Sequence, residues 1–142
     1  MRKTFLFALI LGLAGCSFFQ SLDQRLVSEN QKVRTKAMAK LTALSADKKI
    51  QLISPLIEKL RNPESRIANR AADALVIIGA PIIDQLKPLL KDPDAFVRAN
   101  AVSILGRLGP YARGAIAEIT ECLKDPHPLV REEATLAIAK LG

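Results

Sequence analysis

From residue 17 to the end, apolar residues recur three and four positions apart, in stripes broken by short polar stretches. That spacing places one apolar face on each of a series of helices. Two stripes read almost alike: "DPDAFVRANAVSILGRLG" (92–109) and "DPHPLVREEATLAIAKLG" (125–142). Asp92, Val97, Ala101, Leu105, Leu108 and Gly109 align with Asp125, Val130, Ala134, Ile138, Leu141 and Gly142. Earlier copies carry Asn62, Ile67, Ala71, Leu75, Ile78 and Gly79, then Ser28, Val33, Ala37, Leu41, Leu44 and Ser45. A second stripe precedes each phrase. Leu52, Ile53, Leu56 and Leu60 align with Ile82, Ile83, Leu86 and Leu90, with Ala115, Ile116, Ile119 and Leu123, and with Phe18, Phe19, Leu22 and Leu26.

Each unit therefore predicts a helix, a turn and a second helix. The Asn-Pro and Asp-Pro dipeptides mark turns. Gly79 and Gly109 stand where a helix end favours positive φ, with Pro81 and Pro110 soon after, where a new helix can begin. Pro55 and Pro88 fall inside first helices and are expected to kink them. The alanine column at 37, 71, 101 and 134 permits close packing. The expected fold is all-α, a short right-handed α-solenoid of about four helix–turn–helix repeats (about 17–45, 46–79, 80–109 and 110–142). No unit can bury its stripe alone, so each serves as the lid of its neighbour. The last second helix is expected to be the cap. Thr135 fits that role, in the column that reads Met38, Ala72 and Val102; Leu136 fits less well, in the column of Ala39, Asp73 and Ser103.

The phrase "KDPDAFVRANAVSILGRLG" resembles the HEAT-like repeat found in phycobilin-lyase relatives and bacterial scaffolds, and the likeness covers nearly all of 17–142. The resemblance implies that the Asp before Pro and the Arg six residues later tie successive repeats into a ladder. Asp92/Arg98 and Asp125/Arg131 match that pattern. Asn62/Ala68 lacks the Arg and Ser28/Arg34 lacks the Asp, so the ladder is expected to be incomplete toward the N-terminus.

The first sixteen residues read differently. Arg2 and Lys3 precede an apolar run, Phe5 to Leu13, too short for a bilayer core, which needs about 20 residues. It fits the h-region of a signal peptide. "LAGC" (13–16) resembles the lipobox of bacterial lipoproteins. That resemblance implies cleavage of residues 1–15 and a diacylglyceryl group on Cys16, with acylation of the new amine. Two or more acyl chains meet the requirement for stable anchoring. Ser17 stands where lipoproteins retained at the inner membrane often carry Asp. The expected address is the cell envelope, on the outer membrane facing the periplasm. Since Phe18 belongs to the first repeat, the domain, 16–142, begins almost at the lipid.

Cleavage lowers the net charge from +7 to +5. Export leaves little occasion to meet nucleic acid, so the basic pI of about 9.7 does not point to a nucleic-acid partner. Cys122, the second of two cysteines, has no internal partner once Cys16 carries a lipid. It reads as a buried, inert thiol or as one half of an intermolecular disulfide.

Chemistry is sparse. His127, the only histidine, lies between two prolines in a turn, and one histidine is no metal site. Glu132 and Glu133 are adjacent on a helix and diverge, which favours a solvated first turn over an acid–base pair. No catalytic residue, metal or cofactor is expected beyond the covalent lipid, and no small-molecule substrate. A divergent lyase-type enzyme would rest on the resemblance alone.

The surface remains. The second-helix column Lys36, Arg70, Asn100, Glu133 runs from basic to acidic. Residues 16–79 hold eleven Lys/Arg against six Asp/Glu, and 80–142 hold eight against eight. The excess therefore sits beside the expected anchor, where it could meet anionic lipid or an acidic partner. Val76 and Ile77, framed by Arg70 and Asp73, form an apolar pair in a column expected to be partly exposed. These residues make the chain an expected protein-binding adaptor for an envelope protein. The alternative is an accessory subunit of an outer-membrane complex, docking through Leu136 and the last repeat.

Overall fold

A computed structural model describes residues 22–142. Residues 1–21, which include the expected signal segment, Cys16, Phe18 and Phe19, lie outside the described residues. The elements in order are α1 (22–26), α2 (Gln31–Ala43), α3 (Ala46–Gln51), α4 (Ile53–Lys59), α5 (Ser65–Ile78), α6 (Ile83–Leu86), α7 (Ala95–Leu108), α8 (Ile116–Glu121) and α9 (Pro128–Leu141). The second helices α2, α5, α7 and α9 pack successively side by side. The described chain is a short, all-α solenoid.

Local chemistry sets the starts and stops of these helices. Asn30 Oδ1 accepts from the backbone N–H groups of Lys32 and Val33 at the start of α2. Asp94 caps α7 through Phe96 N–H, and His127 Nδ1 accepts from Leu129 N–H at the start of α9. Each side chain satisfies a donor that the first helical turn leaves open. The lone histidine thus has a structural task as an N-cap. Helices α5 and α7 end on Gly79 (φ 85°) and Gly109 (φ 57°), in the region that disfavours a Cβ.

The first helices depart from the expectation of kinks, because they are broken outright. The first helix of the second unit splits into α3 and α4 at Leu52, since Pro55 has no N–H for the carbonyl of Gln51. Helix α6 stops at Leu86, and a 3₁₀ segment, Lys87–Lys91, carries the chain past Pro88. In the fourth unit a 3₁₀ segment spans Gly109–Ala115 before α8 begins, where Gly109, Pro110 and Gly114 lower the helix propensity.

The core runs the length of the stack, from Leu22 and Leu26 to Val130 and Leu141. The alanine column is buried at all four positions. Helices α7 and α9 approach closely at Gly106, where an added Cβ would lie 2.7 Å from both Cα and Cβ of Ala137. That contact also gives the column of residue 137 a direction: it faces the preceding unit.

Candidate interaction face

The four loops between first and second helices repeat one piece of chemistry. Ser28 Oγ accepts from Asn30 N–H, Asn62 Oδ1 from Glu64 N–H, Asp92 Oδ1 from Asp94 N–H, and Asp125 Oδ1 from His127 N–H, at 3.2, 2.9, 3.0 and 2.9 Å. The Ser, Asn or Asp at the head of each phrase thus first closes a turn. The Arg six residues on then clamps the same loop. Arg34 donates to the carbonyls of Ser28 and Glu29, Arg98 to those of Asp92 and Pro93, and Arg131 to those of Asp125 and Pro126, at 2.6 to 3.1 Å.

One of these arginines also reaches the next unit. Arg98 binds Asp125 through two bonds, 2.7 and 2.9 Å long. The guanidinium holds the Asp125 carboxyl below its usual range, with burial opposing and the His127 N–H assisting. The same pairing raises Arg98. Ala68 cannot do this for Asp92, and Arg61 replaces it, 2.6 Å from Asp92. Burial opposes ionisation of Asp92, but the Asp94 N–H and Arg61 outweigh it and lower its pKa. At the first junction, Lys59 meets Asp23 at 2.9 Å. Each of the three junctions between described units therefore carries an ion pair whose carboxylate side chain is at most 9% exposed. Arg61 and Lys59 lie in first helices or just after them, off the repeat column, so aligning the phrases does not find them.

These clamps hold the second helices in register along a groove of about 580 Å³ over α5, α7 and α9. Its walls include Asn69, Asn100, Ser103 and Glu133, together with Arg61 and Asp94. Phe96 stands in it, 62% exposed, its ring 5.9 Å from that of His127. An aromatic with so much free surface, set among hydrogen-bonding groups, offers an anchor for a partner side chain. Phe96 shares a column with Lys32, Arg66 and Leu129, and an aromatic at a largely polar position is the signal that could have found it.

The structure separates the residues grouped from the sequence. Asn100 and Glu133 line the groove, but Lys36 and Arg70 do not. Arg70 is half-buried and donates to the carbonyl of Val27 at 3.0 Å, joining the second unit to the first. Lys36 is exposed on α2, beside a separate cleft at the N-terminal end of the stack. Asp73 pairs with Arg107 at 2.8 Å. Val76 is half-buried and borders a small cleft with Leu108 and the exposed Tyr111, and Ile77 is 38% exposed. Leu136 is 48% exposed on α9.

Cys122 is buried, and burial, then Asp125, pushes its thiol up. No cluster of three His, Cys, Asp or Glu residues placed to hold a metal occurs among the described residues. None of their helices is long and apolar enough to cross a membrane.

The fold and its face define a helical-repeat solenoid. Residues 83–142 match the family described as HEAT repeats, so the second half of this solenoid is HEAT-like in sequence as well as in shape. No curated protein matches the chain. Among solved structures, the crystal structure of an engineered protein from the Northeast Structural Genomics Consortium is similar, with a TM-score of 0.50 and 18% identity. The match covers 87% of this chain and 62% of that one, so the chain spans less than two thirds of that structure's length. The likeness is one of fold.

Proposed function

We propose that this chain is a lipid-anchored scaffold of the bacterial cell envelope that binds a protein partner through its second-helix groove. The observation that carries the binding role is the groove itself, where Phe96 is presented among Asn69, Asn100, Ser103 and Glu133 on units joined by the Arg61–Asp92 and Arg98–Asp125 ion pairs. A HEAT-like solenoid is compatible with such a role, since its curved helical surface is suited to holding another chain. The anchor rests on "LAGC" at 13–16, and Ser17 favours the outer membrane, facing the periplasm. The reading requires no cofactor besides the lipid on Cys16 and no catalytic group. Leu136 supports a second reading, docking through the last unit as a subunit of a larger complex, because a large apolar side chain there lies open to solvent.

Photocrosslinking in cells from position 100 tests the groove, with position 113 as the control, since Arg113 is exposed and does not line it. One discrete envelope protein captured from 100, and lost in a Phe96→Ala variant of unchanged thermal stability, is the expected result. Equal products from both positions, or none from 100, would refute the groove. Loss of a co-purifying complex in Leu136→Asp alone would transfer the role to the last unit.

A further inference from the structure

Three columns look back along the stack toward the preceding unit, and contacts fix that direction for each. Lys59 reaches back to Asp23, Arg70 reaches back to Val27, and Ala137 packs back on Gly106. In later units these columns hold Leu89 and Cys122, Asn100 and Glu133, and Ala74 and Ile104. Leu89, Cys122, Ala74 and Ile104 are all buried by the unit before. In the first unit the three positions are Arg25, Lys36 and Lys40. All three are exposed. They ring a cleft of about 310 Å³ whose other lining among the described residues is Leu22, Val33 and Ala37, with no carboxylate among them. Where every later unit offers a surface to a neighbouring repeat, the first places Arg25 and Lys36 beside an apolar floor.

The tether tells which surface lies opposite. Leu22 is 1% exposed and belongs to the core, so its place in the fold is set. Five residues lie between it and Cys16, a reach of roughly 20 Å at full extension. A lipid on Cys16 therefore keeps this end of the stack beside the headgroup layer, on a tether short enough for its cations to come within the screening length of about 8 Å.

We propose that the end face formed by Arg25 and Lys36 docks on anionic phospholipid headgroups, standing the solenoid end-on at the membrane with α9 farthest from it. The proposal rests on the reading of Cys16 as the lipid-bearing residue. Phosphates would sit over the cleft rim and acyl-proximal carbons over Leu22 and Val33. The groove would then open sideways, clear of the bilayer.

The chain contains no tryptophan, so single tryptophans report position. Full-length acylated protein with Gln24→Trp, beside Arg25, or with Leu136→Trp, at the far end, is reconstituted in phosphatidylcholine vesicles with and without phosphatidylglycerol. A headgroup-attached quencher reads proximity. The expected result is quenching at position 24 that requires phosphatidylglycerol and is relieved by salt, with position 136 unquenched throughout. Arg25→Gln with Lys36→Gln lowers the docked-to-undocked ratio about 25-fold, at about fivefold per cation, while Lys140→Gln leaves it unchanged. Quenching at 24 that ignores lipid charge or survives the double substitution would overturn the proposal. So would docking that needs an added acidic envelope protein instead of lipid. Intact mass separates the two readings: protein without the acyl mass refutes the anchor itself, whereas acylated protein that fails to dock refutes only the end face.

Discussion

Substituting Gly106 by alanine should destabilise the stack, although alanine is the better helix former. Carbon atoms rest about 3.5 to 4.0 Å apart at van der Waals contact. The new methyl would lie 2.7 Å from both Cα and Cβ of Ala137, an overlap of about 1 Å. Neither atom is the far end of a flexible side chain, so relief requires α7 and α9 to separate. Overpacking of this kind costs about 1–3 kcal/mol, against a gain of about 1 kcal/mol from helix propensity. The net loss is about 1 kcal/mol for Gly106→Ala. It is about 3 kcal/mol for Gly106→Val, which adds bulk without that gain. Gly114 is the internal control, because a Cβ there meets nothing within 4 Å. Gly114→Ala should stabilise by about 0.5 kcal/mol through the unfolded chain. Thermal unfolding by circular dichroism should show the two alanine variants moving in opposite directions, the first by about −4 °C. Hydrogen exchange should place the loss in α9. A melting temperature that rises in both variants would refute the close approach of α7 and α9.

Other outcomes follow from the ion pairs and the thiol. Arg98→Leu removes both the bidentate bond to Asp125 and the clamp on the 92–93 carbonyls, leaving Asp125 without its cation; a loss of about 3 kcal/mol in chemical denaturation is expected, and under 1 kcal/mol would show that the bridge is idle. Asp92 and Asp125 have folded pKa values below the usual carboxylate value of about 3.9. Their contribution is full above that value and is lost as pH falls through the folded pKa. Asp125→Asn should therefore flatten stability against pH below about pH 4, and an unchanged slope would show that Asp125 does not drive acid unfolding. Cys122 should resist alkylation at neutral pH until the protein unfolds; rapid labelling of the native chain would contradict its burial.

Much of the fold was legible because each second helix repeats one apolar period and each loop one turn chemistry. Val97, Ala101, Leu105 and their copies needed only spacing to be placed in a core. The breaks at Pro55 and Pro88 were visible as positions but not in degree, because the number of hydrogen bonds a proline disrupts depends on how the chain repacks. Arg61 escaped notice because it acts in the Asp92 junction from outside the aligned column. Gly106 gives no signal in the apolar period, since its purpose is a distance to Ala137, 31 positions away. Arg70 was grouped with Asn100 by column, yet its long side chain folds back onto the carbonyl of Val27 at the end of α1. The groove and its Phe96 depend on three helices lying side by side, a relation that no single stripe contains.

The three junction ion pairs also form a mechanical series. If a client held at the far end pulled against an anchored N-terminus, the load would pass through Arg98–Asp125, then Arg61–Asp92, then Lys59–Asp23, and a series yields at its weakest joint. The distal joint is a two-bonded guanidinium fork. The proximal ion pair is a single ammonium contact, seconded by the Arg70 bond to the Val27 carbonyl, and Asp23 Oδ1 has no hydrogen-bond partner among the described residues. Tension would thus peel the first unit before the client-bearing ones, so that the stack extends at its base while its grip stays intact.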